Sequence, residues 1–351
     1  MLVKNASSET SGIFKDFELN TKDELRELSI AAWLHDCGKV TTPEYVVDKA
    51  TKLETIYNRI HEIRTRFEVI HRDLIIESFY KIQDGQNENE VNDWLEKEHL
   101  SLKDDFEFVS KANKGAEFMK NEDKQRIHEI AKRVWVREFD NTLGLSQEET
   151  KRHGLNPSRQ EYLLSDKKEH IIQREAFSKE EYDKHGFNMV VPEDLYNLGE
   201  VYNLTIVKGT LTPEERFKIN EHMIMTIKML DKLPFPKHLQ RVPEYAGAHH
   251  ETLIGTGYPK KLKKEQMSIP ARIMAVADIF EALTASDRPY KEAKKLSEAI
   301  QIMSFMAKDK HIDEDIFNLF LSSGVYLEYA ELHLNKEQID EINIQEYLLA
   351  S

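Results

Sequence analysis

Residues 21–39 read TKDELRELSIAAWLHDCGK, and the last five, His35-Asp36-Cys37-Gly38-Lys39, decide how the rest of the chain is read. Thr21 and Glu24 have the spacing of a capping box, which predicts a helix starting there. Leu25, Leu28, Ala32 and His35 recur at three- and four-residue steps and share one face. Gly38 is expected to end the helix in a left-handed cap. A face that should be apolar therefore ends on an imidazole beside a carboxylate. Taken alone, such a pair is more often a hydrogen-bonded core feature than a metal site, because burying it uncompensated is unfavourable.

Three other segments repeat the anomaly. A helix is predicted from Thr212, with Pro213 in its first position and Glu215 closing a capping box; its stripe is Ile219, His222, Met223, Thr226 and Leu230. His249-His250-Glu251 follows a short apolar run, residues 245–248. Asp278 interrupts a predicted helix over 270–285 whose stripe is Ile273, Val276, Ala277, Phe280 and Leu283. Each intruder has a bland explanation by itself, a satisfied core histidine or a paired aspartate. Four segments that each bring His or Asp to a buried face point instead to one shared centre. Mixed imidazole and carboxylate ligands suit manganese or iron, and zinc less distinctively. A carboxylate bridging two ions between histidines would make a binuclear hydrolytic site.

The composition bounds the alternatives. The chain has 351 residues, 40% hydrophobic and 32% charged, which suits a charge-rich globular protein of one or two compact units. A formal charge of −14 disfavours wrapping a nucleic-acid polymer, though not a small phosphate ligand in a local pocket. Cys37 is the single cysteine, so no internal disulfide framework exists and a reducing compartment fits. The longest apolar run, residues 269–285, is broken by Arg272, Asp278 and Glu281, and the first 20 residues lack a signal-peptide core. The expected location is cytoplasmic.

The remaining periodicity is mostly helical. Ile56, Ile60, Ile63, Phe67, Ile70 and Leu74 form a heptad seam, followed after a polar break at 84–89 by amphipathic stretches over 91–111 and 116–139. These predict an arm of antiparallel helices. From 141 to 209 the pattern decays into loops, with a short hairpin expected around 165–169 and a strand-like run near 201–207. Helical patterns resume after Thr212 and recur over 296–307 and 313–321. The predicted fold class is mostly α.

The residues around the four intruders resemble one family in combination. His35-Asp36-Cys37-Gly38-Lys39 is similar to the HD-x-G-K motif of the HD phosphohydrolases. His249-His250-Glu251 with Gly255-Thr256-Gly257-Tyr258-Pro259 resembles the signature of the HD-GYP subgroup. Residues 272–278 (RIMAVAD) and Arg288-Pro289-Tyr290-Lys291 resemble the same subgroup's later segments. The likeness covers about 25–52 and 210–320. It implies an HD-domain helical bundle made of residues 1–52 and 209–335, a large, mainly helical insertion over 53–208, and a C-terminal tail over 336–351.

That resemblance implies a metal-dependent phosphodiesterase that opens cyclic di-GMP to pGpG and, in some members, GMP. His35, Asp36 and Asp278 would hold one divalent ion, with Asp36 bridging to a second held by His222, His249 and His250; iron or manganese is implied. Asp36 and Lys39 would be the catalytic residues. Lys39, Gly257, Tyr258, Pro259, Arg288 and Lys291 would meet the substrate, with Tyr258 set against a guanine or against the metal-binding wall. Implied partners are diguanylate-cyclase or sensory domains, and the inserted arm is expected either to dimerise or to pack back on its own domain. Three departures stand out. No histidine precedes His35, where the family has a further ligand, so Glu24 or water would substitute, or the sequence is a piece of a longer protein. Ile254 replaces an aspartate before the Gly-Tyr-Pro loop, and the step from Asp278 to Arg288 is one residue longer than usual. The rival readings are a cyclic di-GMP or protein-binding module without turnover, and a phosphohydrolase for another cyclic dinucleotide or nucleotide.

Overall fold

The computed structural model describes residues 1–153, 158–175, 178–285 and 294–349. Its helices, in chain order, are α1 (Leu2–Ser8), α2 (Lys22–Leu34), α3 (Glu44–Val47), α4 (Ile60–Gln83), α5 (Glu88–Asn113), α6 (Asn121–Ala131), α7 (Gln147–His153) and α8 (Lys179–Lys184). They continue as α9 (Glu200–Leu204), α10 (Pro213–Asp231), α11 (Val242–Gly247), α12 (Ile269–Thr284), α13 (Leu296–Lys308), α14 (Glu314–Ser322) and α15 (Val325–His333). Four short strands pair as two antiparallel ribbons, β1 (Val134–Val136) with β2 (Gln160–Tyr162) and β3 (Ile171–Gln173) with β4 (Asp194–Asn197). The mostly helical class read from the sequence is the class found. Among the described residues no helix is long and apolar enough to cross a membrane.

The chain divides into two compact units. The first comprises Met1–Thr42, Ser178–Val190 and Ile219–Ser351, and the second Pro43–Phe177 and Val191–Lys218. The compact division thus leaves residues 43–52 and 209–218 in the second unit and gives 178–190, from within the expected insertion, to the first. Residues 336–349 are no loose tail: Ile339, Ile342, Ile344 and Tyr347 pack against the first unit's core.

In the first unit α12, α13 and α14 surround Phe280, Ile300, Met303, Ile316 and Phe317, all buried, while α1 packs against α12 and α14. A smaller cluster of Ala31, Leu230, Val242, Tyr245 and Met274 locks α2, α10, α11 and α12 together. These four helices carry the His and Asp residues singled out above or lead directly into them. The capping box of Thr21 and Glu24 starts α2, and that of Thr212 and Glu215 starts α10. Two details of the expected faces change. Ala32 and Ala277 are exposed, so the buried seam of α2 runs through Glu27 and Ala31, and that of α12 through Ile273, Val276 and Phe280. Glu27 tolerates burial because its carboxylate accepts the Arg241 backbone N–H at 2.6 Å. Gly38 is also not left-handed; it lies in a 3-10 turn, Cys37–Thr41.

In the second unit α4 and α5 form the antiparallel pair that the heptads predicted. Phe67 meets Phe106 at 5.2 Å, His71 stacks on His99 at 3.9 Å, and Lys81 lies over Trp94 at 3.3 Å, so the partners run in opposite order. The seam begins at Ile60, since Ile56 precedes the helix and is exposed. Residues 134–136 turn from the predicted helix into β1, the expected hairpin at 165–169 is absent, and 201–207 is not a strand but mostly α9. Buried ions explain α9. Glu200 takes Arg66 in a bidentate pair at 2.6 and 2.9 Å and accepts the Ser165 N–H at 2.9 Å. Lys52, almost fully buried, donates to the Leu204 and Ile206 carbonyls at 2.8 and 2.9 Å and so satisfies the helix end.

Candidate metal centre

Every residue named as a metal ligand lies in the first unit, within its helices or just after their ends. His35 and Asp36 follow α2, His222 is in mid-α10, His249 and His250 follow α11, and Asp278 is in α12. They fall into two groups that share Asp36. The potential ligand atoms of Asp36, His222, His249 and His250 all lie within 4.8 Å of one another, and so do those of His35, Asp36 and Asp278.

Asp36 divides its two oxygens between the groups. Oδ1 lies 3.3 Å from His222 Nε2 and 3.9 Å from His249 Nε2, whereas Oδ2 lies 3.2 Å from His35 Nε2 and 2.6 Å from Lys39 Nζ. His35 Nε2 also faces Asp278 Oδ1 at 3.4 Å. The first group is deep, with His222 and His249 each 2% exposed. The second is open on one side, with side-chain exposures of 25% for His35 and Asp36 and 20% for Asp278.

The backbone orients three of the four rings in the same way. Nδ1 of His35, His222 and His249 each donates to the carbonyl three residues earlier, Ala32 at 2.7 Å, Ile219 at 2.6 Å and Ala246 at 2.7 Å. With the proton held there, each ring in its neutral form would present the Nε2 lone pair to the centre, as metal-binding histidines do. His222 Nε2, His249 Nε2 and Asp36 Oδ1 are buried without a hydrogen-bond partner among the described residues. Three buried acceptors aimed at one another are unfavourable unless a cation lies between them. The donor set therefore fits divalent metal.

Charge agrees with this reading. Burial pushes His249 down to about 4 and His250 down to about 3, so both rings are neutral and free to ligate near pH 7. Burial works against a charged His35 as well, yet the Asp278 and Asp36 carboxylates outweigh it and raise the ring to about 10. Burial would likewise raise Asp36, but His222, His35 and Lys39 together hold its carboxyl well below the usual range. The paired carboxylates draw positive charge toward themselves.

Glycines permit this geometry at two places. A Cβ on Gly38 would stand 2.0 Å from the His222 carbonyl oxygen, and the Gly38 N–H donates to Thr226 Oγ1 at 2.9 Å. A Cβ on Gly257 would meet the Glu251 Cα and Thr252 nitrogen at 2.5 Å. That contact folds the 255–259 loop back on the ligand segment, where the Tyr258 ring stacks on His250 at 4.8 Å and 16°. Glu251, 2% exposed, fastens the loop by accepting the Lys260 and Leu262 N–H groups at 2.7 and 2.9 Å. The Ile254 side chain is exposed, while its backbone pairs with Lys263 across the base of the loop.

One expectation does not carry through. Glu24 cannot stand in for the missing ligand: its carboxylate closes the α2 capping box, about 16 Å of helix away from His35. Arg288 and Lys291 lie outside the described residues. Two contributors escaped notice. In the sequence Thr226 stands out only as part of a stripe and Glu251 only as part of a motif. Thr226 could have been found as a hydroxyl one turn after His222 on a face due to be buried.

Comparisons with known proteins agree with the geometry. An HD-domain family model matches residues 159–316. The chain is 33% identical over 151 residues to a 3′3′-cGAMP-specific phosphodiesterase (number 1) of Vibrio cholerae, covering 40% of this chain and 33% of that protein. It is 38% identical over 108 residues to a cyclic di-GMP phosphodiesterase of Thermotoga maritima, 31% of this chain and 29% of that one. Over 79 residues it is 44% identical to a cyclic di-GMP phosphodiesterase of Pseudomonas aeruginosa, 22% of this chain and 18% of the other. The aligned stretches thus span a third or less of these relatives. These matches place an HD domain over residues 159–316, and the chain resembles HD-GYP phosphodiesterases.

Proposed function

We propose that the protein is a metal-dependent phosphodiesterase that hydrolyses a guanine-containing cyclic dinucleotide, with cyclic di-GMP as the first candidate and pGpG, then GMP, as products. The observation that carries this reading is Asp36, whose two oxygens face separate ligand sets. His222, His249 and His250 would hold one ion and His35 and Asp278 the other, with Asp36 common to both. Divalent ions held there, iron or manganese by the chemistry of the donors, would supply Lewis acidity and neutralise charge on the phosphodiester.

The chain's own residues supply binding and orientation. Lys39, with its side chain 53% exposed, would leave Asp36 to meet a phosphate as a point charge. Gly257, Tyr258 and Pro259 would form one wall of the pocket, and Arg288 and Lys291 would clamp the second phosphate. The names of the Vibrio cholerae relatives support 3′3′-cGAMP as a second candidate. A further reading, binding without turnover, is favoured by the open group, which brings together only three ligand residues among those described.

Purified protein loaded with manganese or ferrous iron should convert cyclic di-GMP or 3′3′-cGAMP to a linear dinucleotide, and Asp36→Ala should not. Tight binding of either nucleotide by fully loaded protein, with no linear product after prolonged incubation, would establish the binding module instead.

A further inference from the structure

Residues 178–190 are flanked in sequence by the second unit yet belong to the first. Ser178 caps the short helix α8, and Gly186, at φ +70°, turns the chain back at its end. Tyr182 and Phe187 are buried and meet at 5.4 Å, and the Tyr182 hydroxyl both donates to the Met189 carbonyl and accepts its N–H at 2.9 Å. The segment is thus stiffened from within. It is also fixed to α10, by Glu181 with Lys228 at 2.7 Å and His185 with Asp231 at 3.4 Å.

It also contacts the signature loop. The Asn188 backbone N–H donates to the Pro259 carbonyl at 2.7 Å, while the Asn188 side chain is exposed. Pro259 lies between two groups held from the inner side. The Tyr258 N–H donates to the His250 carbonyl at 3.2 Å, and the Lys260 N–H donates to Glu251. The loop is therefore pinned on one side by the ligand segment and on the other by this stretch.

We propose that residues 178–190 are a strap that positions the Gly-Tyr-Pro loop, and that the hydrogen bond from Asn188 to Pro259 keeps Tyr258 seated on His250 to shape the substrate pocket. The last clause rests on the proposed function; the positioning itself does not. Asn188 is a positioning residue that acts through Pro259, and it touches no ligand.

Hydrogen exchange in Asn188→Pro, which lacks the N–H, is compared with Asn188→Ala, which keeps it. Residues 255–262 should exchange about fivefold faster in the proline variant, the effect of losing one hydrogen bond, and at the wild-type rate in the alanine variant. In manganese-loaded protein KM for the cyclic dinucleotide should rise by a similar factor, with kcat and bound metal unchanged. If Asn188→Pro does not fold, Glu181→Lys should loosen both segments, and adding Lys228→Glu should restore them. The proposal is overturned if residues 178–190 exchange faster in Asn188→Pro or Glu181→Lys while 255–262 stay at the wild-type rate. If the wild-type protein hydrolyses no cyclic dinucleotide, the proposed function fails separately, and the exchange comparison still decides the strap.

Discussion

Gly38 and His222 approach so closely that a single added methyl at Gly38 would lie 2.0 Å from the His222 carbonyl oxygen and 2.6 Å from the Thr226 nitrogen. Both obstacles are backbone atoms of α10, so the helix would have to move, and His222 with it. Gly38→Ala should destabilise the first unit by on the order of 1–3 kcal/mol, the usual effect of overpacking, and weaken metal binding as well. Urea unfolding and metal analysis check both; a variant with normal stability and full metal content would mean that α10 yields without consequence.

Asp36 and Lys39 touch at 2.6 Å but should separate on mutation. Asp36→Ala removes an oxygen from both ligand groups, so affinity should fall by more than the roughly 10–100-fold typical of residues that merely support ligands. Lys39→Ala should keep the metal and lose turnover. Elemental analysis beside kcat distinguishes them, and full metal content in Asp36→Ala would remove the bridging assignment.

Thr226 makes the bond that holds the turn carrying Asp36 against α10. Thr226→Val would leave the buried Gly38 N–H without its acceptor and should cost about 1–3 kcal/mol. Thr226→Ser keeps the hydroxyl and should retain most of that stability. Equal midpoints for the two variants in chemical denaturation would show that the bond contributes nothing.

Glu200 gives the second unit a pH dependence. Burial alone would raise its carboxyl, but Arg66 outweighs burial and holds it below the ordinary value. A folded pKa below the unfolded one means that the unfolded chain binds more protons in that interval. The contribution is complete above the unfolded carboxylate value and is lost as pH falls through the folded one. Glu200→Gln should lower stability by on the order of 3 kcal/mol at pH 7 and flatten this part of the acid loss. Denaturant midpoints measured from pH 7 to 3 test it; parallel curves for the two proteins would rule out the linkage.

The centre was legible because helical periodicity marks which positions ought to be apolar, and His35, His222 and Asp278 violate it on strong helices. Elements that depend on distant partners were not legible. The five residues of α9 look strand-like in isolation, and it is Arg66 and Lys52, more than 130 positions earlier, that make them helical. Strands of three residues such as β1 leave too little period to separate them from the end of an amphipathic helix. Ile56 and Ala277 fit their stripes in spacing but not in burial, because a stripe says nothing of where its neighbours stop. Asn188 gave no signal at all, since it acts through a backbone N–H that almost every residue carries.

The carbonyls that receive Nδ1 from His35, His222 and His249 stand three residues back along the same stretch of chain. Ring orientation is thus tied to the winding of the chain just before each imidazole. Unwinding a single turn at any of these points would free the ring to rotate and withdraw its lone pair, so ion release and local fraying would be one event rather than two. The occupied centre would in turn act as a clasp on three separate helices, and its grip would register as slower opening of all three.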